Sequence, residues 1–118
     1  MELIGLKKCS TCREIEQLLK QQGKAYTYRE INLDRPSADE LATWFAQSGE
    51  PDLKKFVNTS GLKYRELDLK NRWQSLDFNE QLALLATDGM LVKRPILLTD
   101  NGEVYVGPAV KRYLTALS

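Results

Sequence analysis

A chain of 118 residues, 42% hydrophobic and 28% charged, has the makings of one folded domain with a core of its own. Seventeen basic against sixteen acidic side chains leave a net charge of +1, too little to predict nonspecific attachment to nucleic acid or to an anionic membrane. The chain has no histidine, which excludes Ser-His-Asp and Cys-His catalysis within it. Nor does it contain an apolar run long enough for a signal peptide or a bilayer span, so a cytoplasmic location is expected.

Residues 2–6 read as a short buried strand. Lys7-Lys8-Cys9-Ser10-Thr11-Cys12-Arg13 follows and holds both cysteines. The apolar spacing then predicts a helix over 10–22, with Gly23 as its stop. A strand that hands over to a helix through C-x-x-C is the motif of a thiol–disulfide redox site. Unpaired N–H groups and the positive end of the helix dipole favour a thiolate there. Cys12, Ile15, Leu18 and Leu19 share one helical face, which turns Cys12 toward the core. Cys9 precedes the first turn, beside Lys7, Lys8 and Arg13. Cys9 is therefore the candidate attacking thiolate and Cys12 the resolving thiol, the two forming a redox-active disulfide when oxidised. Half of a zinc site, or two ordinary buried cysteines, are the competing readings. Zinc takes about four ligands, and two cysteines without histidine do not supply them.

Residues 25–31 read as a second strand, completing a βαβ unit whose strands should be parallel. Ser37 is the expected cap of a helix carrying Leu41, Trp44 and Phe45, closed by Gly49. A short helix over Pro51 to Phe56, a polar loop at Asn58-Thr59-Ser60-Gly61 and one or two helical turns over 62–73 come next. Asp77 and Glu80 fit a capping box for a helix running to about Ala86. Residues 95–99 and 103–106 read as strands joined by the Asp100-Asn101-Gly102 turn, hence antiparallel. Pro108 opens a last helix with Val110, Tyr113, Leu114 and Leu117 on its apolar face. The sum is an α/β chain: a thioredoxin-like, glutaredoxin-like core of about residues 1–32 and 90–118, a four-stranded mixed sheet, and an all-helical insertion at about 33–89, within a single domain. Pro95 opens the third strand, either as an ordinary trans proline limiting the strand edge or as a cis one. In this fold Arg94 comes near Cys9, as a thiolate-stabilising or anion-binding group or as a surface arginine at the strand end.

Cys9-Ser10-Thr11-Cys12, Asn58 through Arg65, and Leu91-Val92-Lys93-Arg94-Pro95-Ile96-Leu97, in that order, resemble the motifs of the ArsC/Spx family, and the likeness covers essentially the whole chain. That family holds glutaredoxin-linked arsenate reductases, Spx regulators that bind RNA polymerase, and further thiol-reductase-like proteins. The resemblance implies a thioredoxin-like fold, a cis Pro95 and Cys9 as the redox-active residue. It implies a thiol-dependent reductase without bound cofactor or metal, acting on a small thiol or disulfide substrate and drawing electrons from glutathione or a thioredoxin. A redox-sensing regulator that docks on an RNA polymerase subunit, without contacting nucleic acid or membrane, is the alternative. The chain departs from the arsenate reductases, which use one cysteine and three arginines. Cys12 is a second cysteine, and Arg94 matches one arginine. Asn58-Thr59-Ser60 and Val106-Gly107-Pro108 stand where the other two are expected. Arginine forks supply most of the recognition of such an oxyanion, so efficient arsenate reduction is not expected.

Overall fold

Leu3 and Ile4 are sequence neighbours, and strand geometry turns them to opposite faces of one sheet. The computed structural model, which describes residues 1–117, builds on that division. Its elements run β1 (Glu2–Gly5), α1 (Ser10–Gln21), β2 (Thr27–Glu30), α2 (Ala38–Ser48), α3 (Leu62–Glu66), α4 (Leu69–Arg72), α5 (Phe78–Leu85), β3 (Ile96–Leu98), β4 (Val104–Val106) and α6 (Pro108–Ala116). Short 3-10 turns stand at Leu53–Phe56, Trp73–Ser75 and Gly89–Leu91. The strand order is β2-β1-β3-β4, with β1 parallel to β2 and the other neighbours antiparallel.

Leu3 and its cross-strand partner Leu97 lie on one face, with Ile15 and Leu19 of α1 and Val110 and Leu114 of α6. Ile4 and its partner Ile96 lie on the other, under Leu41 and Trp44 of α2, Leu69 of α4, Trp73, and Leu82 and Leu85 of α5. Each such side chain, fully buried, contributes about 1.5–3 kcal/mol. Two helices face one side of the sheet and the block between β2 and β3 covers the other. Trp44, in the apolar stripe of α2, is a core residue, and so is Trp73.

The helix starts follow their capping residues. Ser37 Oγ accepts the Glu40 N–H and Glu40 accepts the Ser37 N–H, at 3.1 and 3.0 Å. Asp77 and Glu80 do the same for α5. Gly49 ends α2 at φ 71°, a conformation glycine adopts without steric cost.

β2 is shorter than residues 25–31: its ladder with β1 runs from Thr27 to Glu30, opposite Glu2 to Gly5, and the Thr27 N–H donates to the Met1 carbonyl. Leu117, expected on the apolar face of α6, lies past its last turn and is 50% exposed. One extended contact crosses the helical block. Val57 bridges Val92, the Lys93 N–H donates to the Phe56 carbonyl and the Asn58 N–H to that of Leu91, both at 2.8 Å. This stitch fixes the segment that leads into Arg94 and Pro95. Among the described residues no helix is long and apolar enough to cross a membrane.

Candidate functional site

Cys9 sits at the N-cap of α1 with extended backbone, and Cys12 lies in the first turn. Their placement begins one strand away. Gly5 pairs in register with Glu30, which brings the Glu30 carboxylate beside the loop leaving β1. It accepts the Lys7 N–H at 3.0 Å and the Tyr28 hydroxyl at 2.7 Å. The Cys9 N–H donates to the Leu6 carbonyl at 2.9 Å and the Arg13 N–H to that of Cys9 at 3.1 Å. The loop is thus held at both ends before the helix starts.

Gly5 lets the strand pass close behind Cys12. A Cβ at this position would stand 3.2 Å from both Cβ and Sγ of Cys12 and 3.4 Å from the Tyr28 hydroxyl. Cys12 is 1% exposed, Cys9 is half-buried, and neither is in a disulfide. Tyr28, whose hydroxyl lies behind Gly5 on the Cys12 side, and Glu30, which accepts from that hydroxyl, had no mark in the sequence as site residues. Only the strand register places them there.

The two thiols are displaced in opposite directions. Partial burial opposes ionisation of Cys9. The Cys12 N–H, the Cys12 thiol, the Thr11 N–H and the charge of Arg94 outweigh it and hold the Cys9 thiol below the ordinary cysteine value. Burial pushes the Cys12 thiol up to about 12; the Leu6 backbone works against this, and a thiol hydrogen bond with Cys9 and the Cys9 charge add to it. No hydrogen bond of ordinary geometry caps α1 from the Cys9 side chain, so the amide influence on its sulfur is that of nearby dipoles.

Arg94 therefore lies where its charge reaches both sulfurs. One of its guanidinium nitrogens, Nη1, is buried without a hydrogen-bond partner. The Arg94–Pro95 peptide is cis and Pro95 is buried. Lys7, close to Cys9 in the sequence, bonds Glu16 at 3.2 Å and covers the Tyr28 ring at 3.9 Å. Lys8 and Arg13 are exposed. Asn58 holds its loop in place through the Met90 carbonyl at 3.2 Å.

Near the cysteine pair opens a cavity of about 520 Å³, its lining including Thr11, Ile15, Lys93, Arg94, Lys111 and Arg112. The last two were not recognised from sequence. On a helix with an apolar stripe, a Lys-Arg pair on the opposite face is the ordinary solvated pattern.

The ArsC family model matches residues 4–116. The chain belongs to the ArsC family. The uncharacterized protein YusI of Bacillus subtilis (strain 168) is 50% identical over 100 residues, covering 85% of this chain and 83% of that protein. A crystal structure of a Bacteroides fragilis protein, provisionally described as ArsC family related, superposes with a TM-score of 0.87 at 40% identity, over 96% of this chain and 95% of that one. The arsenate reductase from Vibrio cholerae superposes with a TM-score of 0.85 at 26% identity, over 98% and 97%. These likenesses establish the thioredoxin-like fold and place this ArsC protein among thiol oxidoreductase-like relatives.

Proposed function

We propose that this ArsC-family protein is a cytoplasmic thiol–disulfide oxidoreductase whose redox pair is Cys9 and Cys12. The Cys9 thiolate attacks one sulfur of a disulfide substrate, forms a mixed disulfide and expels the other sulfur as a thiolate. Cys12 then loses its proton and attacks Cys9, forming the Cys9–Cys12 disulfide and releasing the second substrate thiol. Two electrons leave the cysteine pair and reduce one disulfide to two thiols. Glutathione or a thioredoxin returns them, and no bound cofactor takes part. Arg94 stabilises the Cys9 thiolate and Pro95 orients the substrate.

The supporting observation is the opposed displacement of two thiols one helical turn apart, Cys9 lowered and Cys12 raised to about 12. The order of events follows from it. Two of the influences that raise Cys12 are the Cys9 sulfur's charge and its hydrogen bond. Both are lost when Cys9 enters a mixed disulfide, so Cys12 becomes easier to ionise at the step that needs it.

The test is turnover of a small disulfide with glutathione, or a thioredoxin and its reductase, as donor. Turnover lost in Cys9→Ser supports the enzyme. Absence of turnover, with stoichiometric and dithiothreitol-sensitive binding to an RNA polymerase subunit, would replace it with the regulator reading. Arsenate is not the substrate favoured here. Arg94 stands alone among the three expected arginines, and the Lys93 stem lies over Gly107, its Cε 3.2 Å from where a Cβ would be.

A further inference from the structure

We infer that the cations beside the cysteine pair form a docking groove for an acidic polypeptide segment that carries the substrate cysteine, so that the disulfide reduced at Cys9 belongs to an acidic protein partner. The inference rests on the redox reading above and adds the class of substrate. Two cavities adjoin, of about 520 and 310 Å³, and share Lys93, Pro108 and Arg112. The first reaches the cysteine pair through Thr11 and Arg94. Between them they are lined by Lys54, Lys55, Lys93, Arg94, Lys111 and Arg112, with Glu50 the acidic residue in their walls. In a chain of net charge +1, that is a marked local excess.

The excess is not neutralised from within. Lys111 pairs with Glu14 at 3.3 Å, but both side chains are more than half exposed, so the pair is weak and screened. The first turn of α6, which lies between the cavities, carries no acid and no side-chain cap. Lys93 is held there by its stem, which packs over Gly107. Nη1 of Arg94 is buried and unpartnered at the end nearest the cysteines. Charges gathered in a concave site focus the field and draw ligands of opposite sign.

Three features select a polypeptide. Six cations spread over two cavities exceed what one small dianion would engage. Ile15, Val57, Val106 and Pro108 interrupt the charge with apolar wall, as suits side chains of a peptide. The groove ends at a thiol whose chemistry needs a sulfur, which nucleic acid does not bring.

The test uses short cysteinyl peptides of matched sequence, acidic, neutral or basic beyond the cysteine, each as its 2-pyridyl mixed disulfide, together with that of glutathione. The Cys9 thiolate attacks the peptide sulfur and expels 2-thiopyridone, whose absorbance gives the rate. Cys12 then displaces the peptide thiol, leaving the Cys9–Cys12 disulfide, and dithiothreitol regenerates the dithiol. At low salt the acidic peptide should react about tenfold faster than the neutral one, the lower range for electrostatic steering. The advantage should collapse near 1 M salt, where the screening length is about 3 Å.

The paired substitutions Lys111→Glu with Arg112→Glu, and separately Lys54→Gln with Lys55→Gln, should each reduce the acidic-to-neutral ratio, the first reversing it. Salt dependence of the unaltered protein stands if a variant does not fold. Equal rates for all peptides would overturn the inference. So would a glutathione derivative as fast as the acidic peptide with Lys54→Gln/Lys55→Gln silent, which would leave a small-anion site. No release from any of the four would remove the redox reading itself.

Discussion

Arg94→Gln removes the positive charge and shortens the side chain while keeping its aliphatic stem and a polar N–H₂ end. Burial opposes Cys9 ionisation, and Arg94 acts with the amides of Cys12 and Thr11 to overcome it. The Arg94 charge is the smallest of these influences, so its loss lets the Cys9 pKa rise toward the ordinary cysteine value without removing the effect of the amides. Two consequences compete. At a pH a unit or more below the native thiol pKa, a rise of one unit cuts the thiolate fraction about tenfold, while a more basic thiolate is intrinsically about threefold more nucleophilic. For a full unit the net effect is a rate roughly three- to fourfold slower, and the variant should be slower by no more than this. Above both pKa values the thiolate is fully formed in either protein, and the variant should be faster, by no more than about threefold on the same scale. The assay is the second-order rate with 2,2′-dithiodipyridine, a neutral disulfide, across pH in a Cys12→Ser background. A crossing of the two profiles is the expected result. A parallel drop at every pH would mean that Arg94 shapes the site rather than its charge, and identical profiles would mean that it does neither.

Cys12→Ser should stop the reaction at the Cys9 mixed disulfide, visible as a mass adduct that dithiothreitol removes. Gly89→Ala should be among the harshest single changes in the fold. Its methyl group would collide with the Ile31 carbonyl oxygen and stand 2.8 Å from the carbonyl carbon; because backbone cannot swing aside, the expected loss is about 3 kcal/mol, or roughly 10 °C in Tm by thermal unfolding. Glu40 tests the tie between β2 and α2. The Arg29 guanidinium, bonded to it at 2.7 and 2.9 Å, and the Ser37 N–H hold its carboxyl at about 2 against the effect of burial. A folded-state value below the unfolded one, about 4.3, means stabilisation that is full above that pH and lost as pH falls toward about 2. Glu40 is 40% exposed, so Glu40→Gln should cost about 1 kcal/mol at pH 7 after screening. The difference from the unaltered protein should vanish by the lowest pH; a constant difference would contradict the linkage.

The parts of the molecule set by local chemistry were readable in the chain. Ser37 with Glu40 and Asp77 with Glu80 announced their capping boxes, and the structure forms both. Asp100-Asn101-Gly102 announced the antiparallel pair β3 and β4, and Cys9-Ser10-Thr11-Cys12 announced the start of α1. What escaped depends on contacts between distant segments. Glu30 reaches the loop before Cys9 only because the β1–β2 register sets it opposite Gly5. Lys7, two residues from Cys9, is drawn away by Glu16 and Tyr28. Lys111 and Arg112 look like solvent-facing residues until α6 is laid beside Lys93 and α1. Arg94 was foreseen near Cys9 because the fold itself was foreseen, and its unpartnered Nη1 is a property of packing that no motif records.

The central claim is that Cys9 ionises readily while Cys12 does not. Alkylation of the reduced protein with iodoacetamide, followed residue by residue with mass spectrometry across pH, measures both at once. Cys9 should be modified first, with a midpoint below that of an ordinary cysteine, about 8.5, and Cys12 should stay unmodified until the protein unfolds. A Cys9 midpoint at or above the ordinary value, or two cysteines alkylated at equal rates, would contradict the account.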